Sequence, residues 1–334
     1  MQKATRNALA SYIDHLKKAN DTDTVAAPFA VSEPEAARII NLQKESIDLL
    51  SRINLIPSRD EEGTAGAFVS GTLASRTNTE LGPRKPRELQ VDPIEYKCLK
   101  TEFDAAVTYA TLDSLAATFP DFLQALDKEL AVIRGLDQIT IGWNGLEAAE
   151  ETDRVEFPLL QDVNTGWLQK VRTNAPDRVR SSATIGAAGD FASLDALVYG
   201  LIQGLDECHR KRKDLVVIID RDLLHTKMLE SVAAGASSIE AEAALTRILT
   251  TGKIAGLDIY DSPSFPSGTV AVTSLKNLSI YYQAPSVRRF LVDEPNLNRI
   301  VDYFSQNEVY IVEQYGLISF AEGVSFLAPA GEGQ

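Results

Sequence analysis

Few residues in this chain are equipped for chemistry. His15, His209 and His225 are the only histidines, and His225 alone follows a buried-looking strand, in the run DRDLLH that begins at Asp220. Asp220, His225 and Ser231 would suit a hydrolase, the aspartate orienting an imidazole that takes the serine proton. No G-x-S-x-G elbow occurs to present such a nucleophile. The plainer reading makes Asp220 the cap of the helix that starts there and leaves His225 on that helix's surface. Cys98 and Cys208 lack metal-like spacing and are expected as reduced, packed thiols of a cytoplasmic product. GTAG at 63–66 and GAAGD at 186–190 match neither a dinucleotide nor a Walker loop, so they read as turns. No active site assembles, and no cofactor or metal is expected.

Two basic runs stand out against a net charge of −14. A chain this acidic does not grip nucleic acid over its whole surface by counterion release. HRKRK at 209–213 reads as a helix end complementing the dipole there. PRKPR at 83–87 lies on a predicted projection, where Arg84, Lys85 and Arg87 are candidates to pair with an acidic patch on a neighbouring copy. The 334 residues, 44% apolar and 24% charged, describe about two soluble globular domains. No apolar run approaches the roughly 18 residues of a membrane span, and the first residues lack the core of a secretion signal. The sequon at Asn277 is therefore expected to be idle.

The elements that must position these residues are organised around 118–141, TFPDFLQALDKELAVIRGLDQITI. Thr118 is the expected N-cap, and Pro120 and Asp121 suit a first turn. Phe119, Phe122, Leu123, Leu126, Leu130, Ile133 and Leu136 then recur at helical spacing as the stripe expected to be buried. Asp127 and Arg134 lie off that stripe. Gly135 costs about 1 kcal/mol against alanine, so packing must hold the helix at that point. Residues 1–20 read as a short amphipathic helix, 20–34 as a flexible, protease-accessible linker, and 35–53 as a second helix. Alternation from Leu99 to Tyr109 predicts one long strand, and with 64–76 as its outgoing partner it makes a long projecting hairpin. From 190 the pattern turns α/β, with LVVIID at 215–220 as a buried strand, and the chain ends rich in strands. Trp143 and Trp167 read as core or interface anchors.

LLQDVNTGWLQKVRTNAPDRV at 159–179, DLVVIIDRDLL at 214–224 and LKNLSIYYQAPSVRRFLVDEPNLNRIVDYFSQNEVYIVEQY at 275–315 resemble the major capsid proteins of P2-like tailed phages. LLSRINLIP at 49–57 is similar too, and the likeness keeps the order of parts over nearly the whole chain. It implies an α+β fold of the HK97 type. On that mapping 1–30 is a precursor segment, 31–57 the N-arm, and 58–110 the E-loop hairpin. Residues 111–158 with 286–328 form the peripheral domain, 159–285 the axial domain, and 329–334 a tail. The resemblance further implies pentamers and hexamers of this chain, an internal scaffolding protein that carries a protease, and a portal protein at one vertex. DNA enters only as enclosed cargo. The N-terminal segment would be trimmed near Phe29 and Ala30, and no pattern argues for isopeptide welding of subunits. The rivals are an encapsulin-like compartment, whose cargo grooves the sequence does not display, and the hydrolase, which lacks its nucleophile.

Overall fold

The computed structural model describes residues 1–66, 73–80, 82–84, 86, 88, 93–118, 122–186, 188–224 and 252–327. Helix α1 (Lys3–Asn20) precedes a two-residue strand β1 (Phe29–Ala30), helices α2 (Glu33–Ser46) and α3 (Asp48–Arg52), and strand β2 (Asn54–Ser58). The hairpin strands β3 (Glu62–Ala65) and β4 (Ile94–Lys97) follow. The chain then runs through β5 (Leu99–Glu102) and β6 (Ala105–Thr108) into α4 (Tyr109–Thr118) and the long α5 (Phe122–Asn144). Next come α6 (Trp167–Asn174), β7 (Val179–Arg180), β8 (Ala183–Ile185), α7 (Leu194–Gly204) and β9 (Leu215–Ile219). Beyond 252 lie β10 (Lys253–Ile254), β11 (Leu257–Tyr260), β12 (Val270–Ser274) and β13 (Leu278–Gln283). The last strands are β14 (Arg288–Glu294), β15 (Arg299–Val312), β16 (Ile318–Ala321) and β17 (Val324–Phe326).

Strand β15 is the axis of the first sheet. It carries β14 and then β13 along one edge, and β6 and then β5 along the other. Strand β1 extends this sheet beyond β14, and β2 extends it beyond β13. The second sheet runs β10-β11-β9-β12-β16-β7. Between the two sheets sits a core built on Trp143, Trp167 and Tyr310, whose rings meet edge to face at 4.9 and 5.5 Å. Each indole N–H donates, Trp143 to Ser262 Oγ at 2.8 Å and Trp167 to the Ser279 carbonyl at 3.0 Å. A second core lies beneath α7, which Ser193 caps by accepting from the Ala196 N–H.

The strand pairings cross the boundaries expected at 285 and 286. Strand β13, expected in the axial domain, lies in the first sheet, and β16, expected in the peripheral domain, lies between β12 and β7 of the second. Between β12 and β16 the chain changes sheet twice, at 275–277 and at 313–317. Asn277 ties the crossings together: it accepts from the Gln314 N–H at 2.8 Å and donates to the Gln314 carbonyl at 3.0 Å. This asparagine of the sequon is buried as a clamp.

Other expectations shift for local reasons. The second helix breaks at Ile47, whose extended backbone separates α2 from α3. The alternating segment 99–108 does form one antiparallel ladder, but on β15, with Leu99 opposite Glu308 and Thr108 opposite Arg299. It pauses at Phe103 and Asp104, where the Asp104 carboxylate accepts the Phe304 N–H. The hairpin proper is instead β3 with β4, Glu62 opposite Lys97 and Ala65 opposite Ile94. HRKRK begins five residues after α7 ends, in a turn where Arg210 Nε donates to the Leu205 carbonyl and Arg212 pairs with Asp214. Of the two thiols, Cys98 is packed and Cys208 is exposed.

The long helix departs most from its expected stripe. Thr118 is the last residue of α4, not an N-cap, and Phe119 lies outside the described residues. Phe122 is buried, Leu126 and Leu130 are half-buried, and Ile133 is 52% exposed. From Asp127 to Ile139 the buried positions are Asp127, Ala131, Arg134, Gly135, Gln138 and Ile139, and Ile141, Gly142 and Trp143 are buried in the last turn. The neighbours decide this. A Cβ on Gly135 would lie 2.7 Å from Ile47 Cδ1, and one on Gly142 only 2.4 Å from the Trp167 ring. Glycine is what lets α3 and α6 approach, and the polar side chains turn toward charges in the first sheet.

Candidate functional site

Among the described residues no group of three or more histidine, cysteine or acidic side chains could hold a metal ion. Asp220 is occupied structurally, its carboxylate accepting from the Asp222 and Gly268 N–H groups. His225 and Ser231 lie outside the described residues. What the chain does build is a clamp between its first thirty residues and the first sheet, centred on buried charge.

Arg289 is 2% exposed and grips Asp302 with two parallel hydrogen bonds of 2.9 Å. Its Nη2 also donates to Asp127 at 3.1 Å and to the Tyr12 hydroxyl at 2.9 Å. Tyr12 in turn donates to Asp127 at 3.0 Å. Arg134 donates to Asp302 at 3.0 Å and lies 4.0 Å over the Phe304 ring. Arg38 bridges Asp127 and Glu35, at 2.6 Å to each. Three guanidiniums thus balance three carboxylates. Burial would raise the Asp127 pKa, but Arg289 and Arg38 outweigh it and hold the carboxyl below its ordinary range. The Tyr12 phenol is pushed up, chiefly by burial.

Helix α1 is therefore fastened into the body. Thr5 Oγ1 and the Gln2 N–H donate to Asp113 at 2.6 and 2.8 Å, and Leu16 packs into the same core as Phe122. The segment expected to be a flexible linker is a paired edge. The Leu291 N–H donates to the Val25 carbonyl, Phe29 stands opposite Arg289, and the Val31 N–H donates to the Val287 carbonyl. Phe29 is buried and Ala30 exposed. On the hairpin, Arg84 is exposed, whereas Lys85 and Arg87 lie outside the described residues.

A second buried group surrounds Glu308, which is fully buried. Its carboxylate accepts from Gln138 at 2.7 Å, Gln306 at 2.6 Å and Tyr310 at 2.9 Å. Burial raises its pKa against the pull of those donors, and burial likewise pushes the nearby Cys98 thiol up to about 11. Between an ordinary carboxyl pKa and this raised one, the folded chain keeps a proton that the unfolded chain releases. Stability is therefore lost as pH rises through the folded pKa. Glu308→Gln should remove that slope, worth up to about 1.4 kcal/mol per pH unit. Urea midpoints from about pH 4 to 8 check this, and an unchanged slope would assign the dependence to other groups.

These charges were readable from spacing. Asp127, Arg134 and Gln138 share a helix face at i, i+7 and i+11, and Arg289 shares its strand face with Leu291. A reading that equates the buried face with the apolar one passes over them.

A family model described as the phage major capsid protein, P2 family, matches residues 8–324. A protein of Escherichia phage P2, described as capsid proteins, is 35% identical over 99% of this chain and 98% of its own length. The major capsid protein of Serratia phage KSP20 is 32% identical over the full length of both. A chain of the satellite phage P4 procapsid superposes with a TM-score of 0.78 at 32% identity, covering 98% of this chain and 99% of its own.

Proposed function

This chain belongs to the P2 family of phage major capsid proteins, and on that premise we propose that it assembles as pentamers and hexamers into an icosahedral head shell around packaged DNA. It is a structural protein of the virion, not an enzyme, with an α+β fold of the HK97 type. The observation that carries the reading is a likeness that is collinear and spans nearly the whole chain, arm and hairpin included. An internal scaffolding protein with its protease guides closure, and a portal protein occupies one vertex.

The hairpin of β3 and β4 supports a role between subunits. Among the described residues its strands pair only with each other, and it joins the body through a small cluster of Ala65, Cys98, Val309 and Ile311. In the assembled shell it lies over an adjacent copy. Trimming falls near Phe29 and Ala30, where the precursor segment ends before α2. Because β1 is paired to β14, the segment must first lift from the sheet edge before a protease can take it in extended form.

Co-expression of the chain with its scaffold and protease, followed by electron microscopy and intact mass, tests this. Closed shells of a chain beginning near residue 30 are expected. Closed shells of uncut chain would remove the trimming and keep the shell, whereas a persistent full-length monomer beside active scaffold would overturn both.

A further inference from the structure

Beside β5 the surface opens into a groove of about 530 Å³. One wall is the edge from Lys100 to Asp104, and the other is the turn carrying Glu150, Glu151 and Arg154. Its lining also includes the apolar side chains of Ile141, Leu160 and Val163. The outer wall is preformed. Asp162, 3% exposed, accepts the Asp153 N–H at 2.6 Å, and the Asp153 side chain accepts the Val155 N–H at 2.7 Å. The Ala149 and Leu146 N–H groups donate to the carbonyls of Asp162 and Gln161.

The groove is short of positive charge. Five carboxylates line it (Glu102, Asp104, Asp137, Glu150 and Glu151) against Lys100 and Arg154, and Lys100 is already paired with Glu102. Glu150 and Glu151 have no hydrogen-bond or ion-pair partner among the described residues. Burial raises the pKa of Asp137, which Arg154 only partly offsets, and burial also raises that of Asp104. A cation brought here from outside would relieve all of these.

We propose that this groove receives the proline-bracketed basic segment at Arg84 from the hairpin of a neighbouring copy, a contact that rests on the shell reading above. The rings of Pro83 and Pro86 fix φ at those two positions, which lowers the ordering cost of docking. Residue 84 lies ten positions from Ile94, a reach of up to about 33 Å. Groove and projection are different patches of one chain, the heterologous arrangement that closes rings. Copies that each carry a net charge of −14 repel one another, and concentrating positive charge on the projecting element lets them meet in a fixed register.

The test uses the full chain assembled with its scaffold, in a Cys208→Ser background because Cys98 is buried. Arg84→Cys combined with Glu151→Cys should give, on oxidation of shells, a ladder of covalent oligomers that neither single cysteine gives. Glu150→Lys with Glu151→Lys should cut shell yield at least about tenfold, as should Arg84→Glu with Arg87→Glu, and combining all four should restore it. Closed shells that give only an intrachain cross-link, or that tolerate either reversal, would overturn the contact while leaving the shell reading intact. Failure of the unmodified chain to form shells would remove the shell reading and the contact together.

Discussion

Arg289→Ala is expected to cost the folded chain about 3–5 kcal/mol, read as a drop in the urea midpoint of unassembled subunit. The side chain is 2% exposed and, among the described residues, is the one donor that touches Asp127, Asp302 and Tyr12 together. Removing it leaves two buried carboxylates sharing Arg38 and Arg134, and the desolvation of each is no longer offset. Arg38→Ala should cost far less. Arg38 also touches Asp127, but its side chain is 42% exposed, so water screens and replaces much of what it gives. A loss below about 1 kcal/mol for Arg289→Ala would show that the cluster is not a keystone, since a broken buried pair costs several times that. The same cluster sets an acid limit. Because the Asp127 pKa is depressed in the fold, its contribution is present above the unfolded carboxyl pKa and is lost as pH falls through the folded one.

Features set by neighbours in the chain were legible, and those set by distant partners were not. Helix α1 and the alternation of 99–108 are local patterns, and both are found where spacing places them. The long helix was half legible. Its first turns follow the apolar stripe through Phe122, but the sheet beyond offers Asp302 and Glu308, so Arg134 and Gln138 turn inward and Ile133 is left outside. No periodicity records the charge of a strand some 170 residues away. The exchange of β13 and β16 between sheets is hidden for a related reason. Both strands are buried on both faces, and a continuous apolar run does not reveal its partner. The segment 20–34 misled because small residues and prolines suggest mobility. Its backbone instead spends its hydrogen bonds on the edge of β14.

Replacing residues 67–92 with a short glycine-serine turn is expected to leave a folded, soluble subunit whose shell yield falls at least about 100-fold, because a contact made in trans multiplies over every copy. Folding should survive. The β3–β4 register ends at Ala65 and Ile94, and the cluster of Ala65, Cys98, Val309 and Ile311 that fastens the hairpin to the first sheet stays in place. The ladder of 99–108 on β15 is likewise untouched, since it begins beyond the cut. Assembly should fail, because the deletion removes the projection and with it Arg84 and the rest of the basic segment. Circular dichroism and the urea midpoint separate folding from assembly, and microscopy with scaffold present counts shells. Intact shells from the shortened chain would take the hairpin out of the subunit contact, whereas an unfolded product would make it part of the fold. Salt adds a further separation. Raised ionic strength screens the mutual repulsion of these acidic copies in both chains, whereas only the unmodified chain also has a groove-to-basic-segment contact to lose, so salt should favour assembly less in the unmodified chain than in the shortened one.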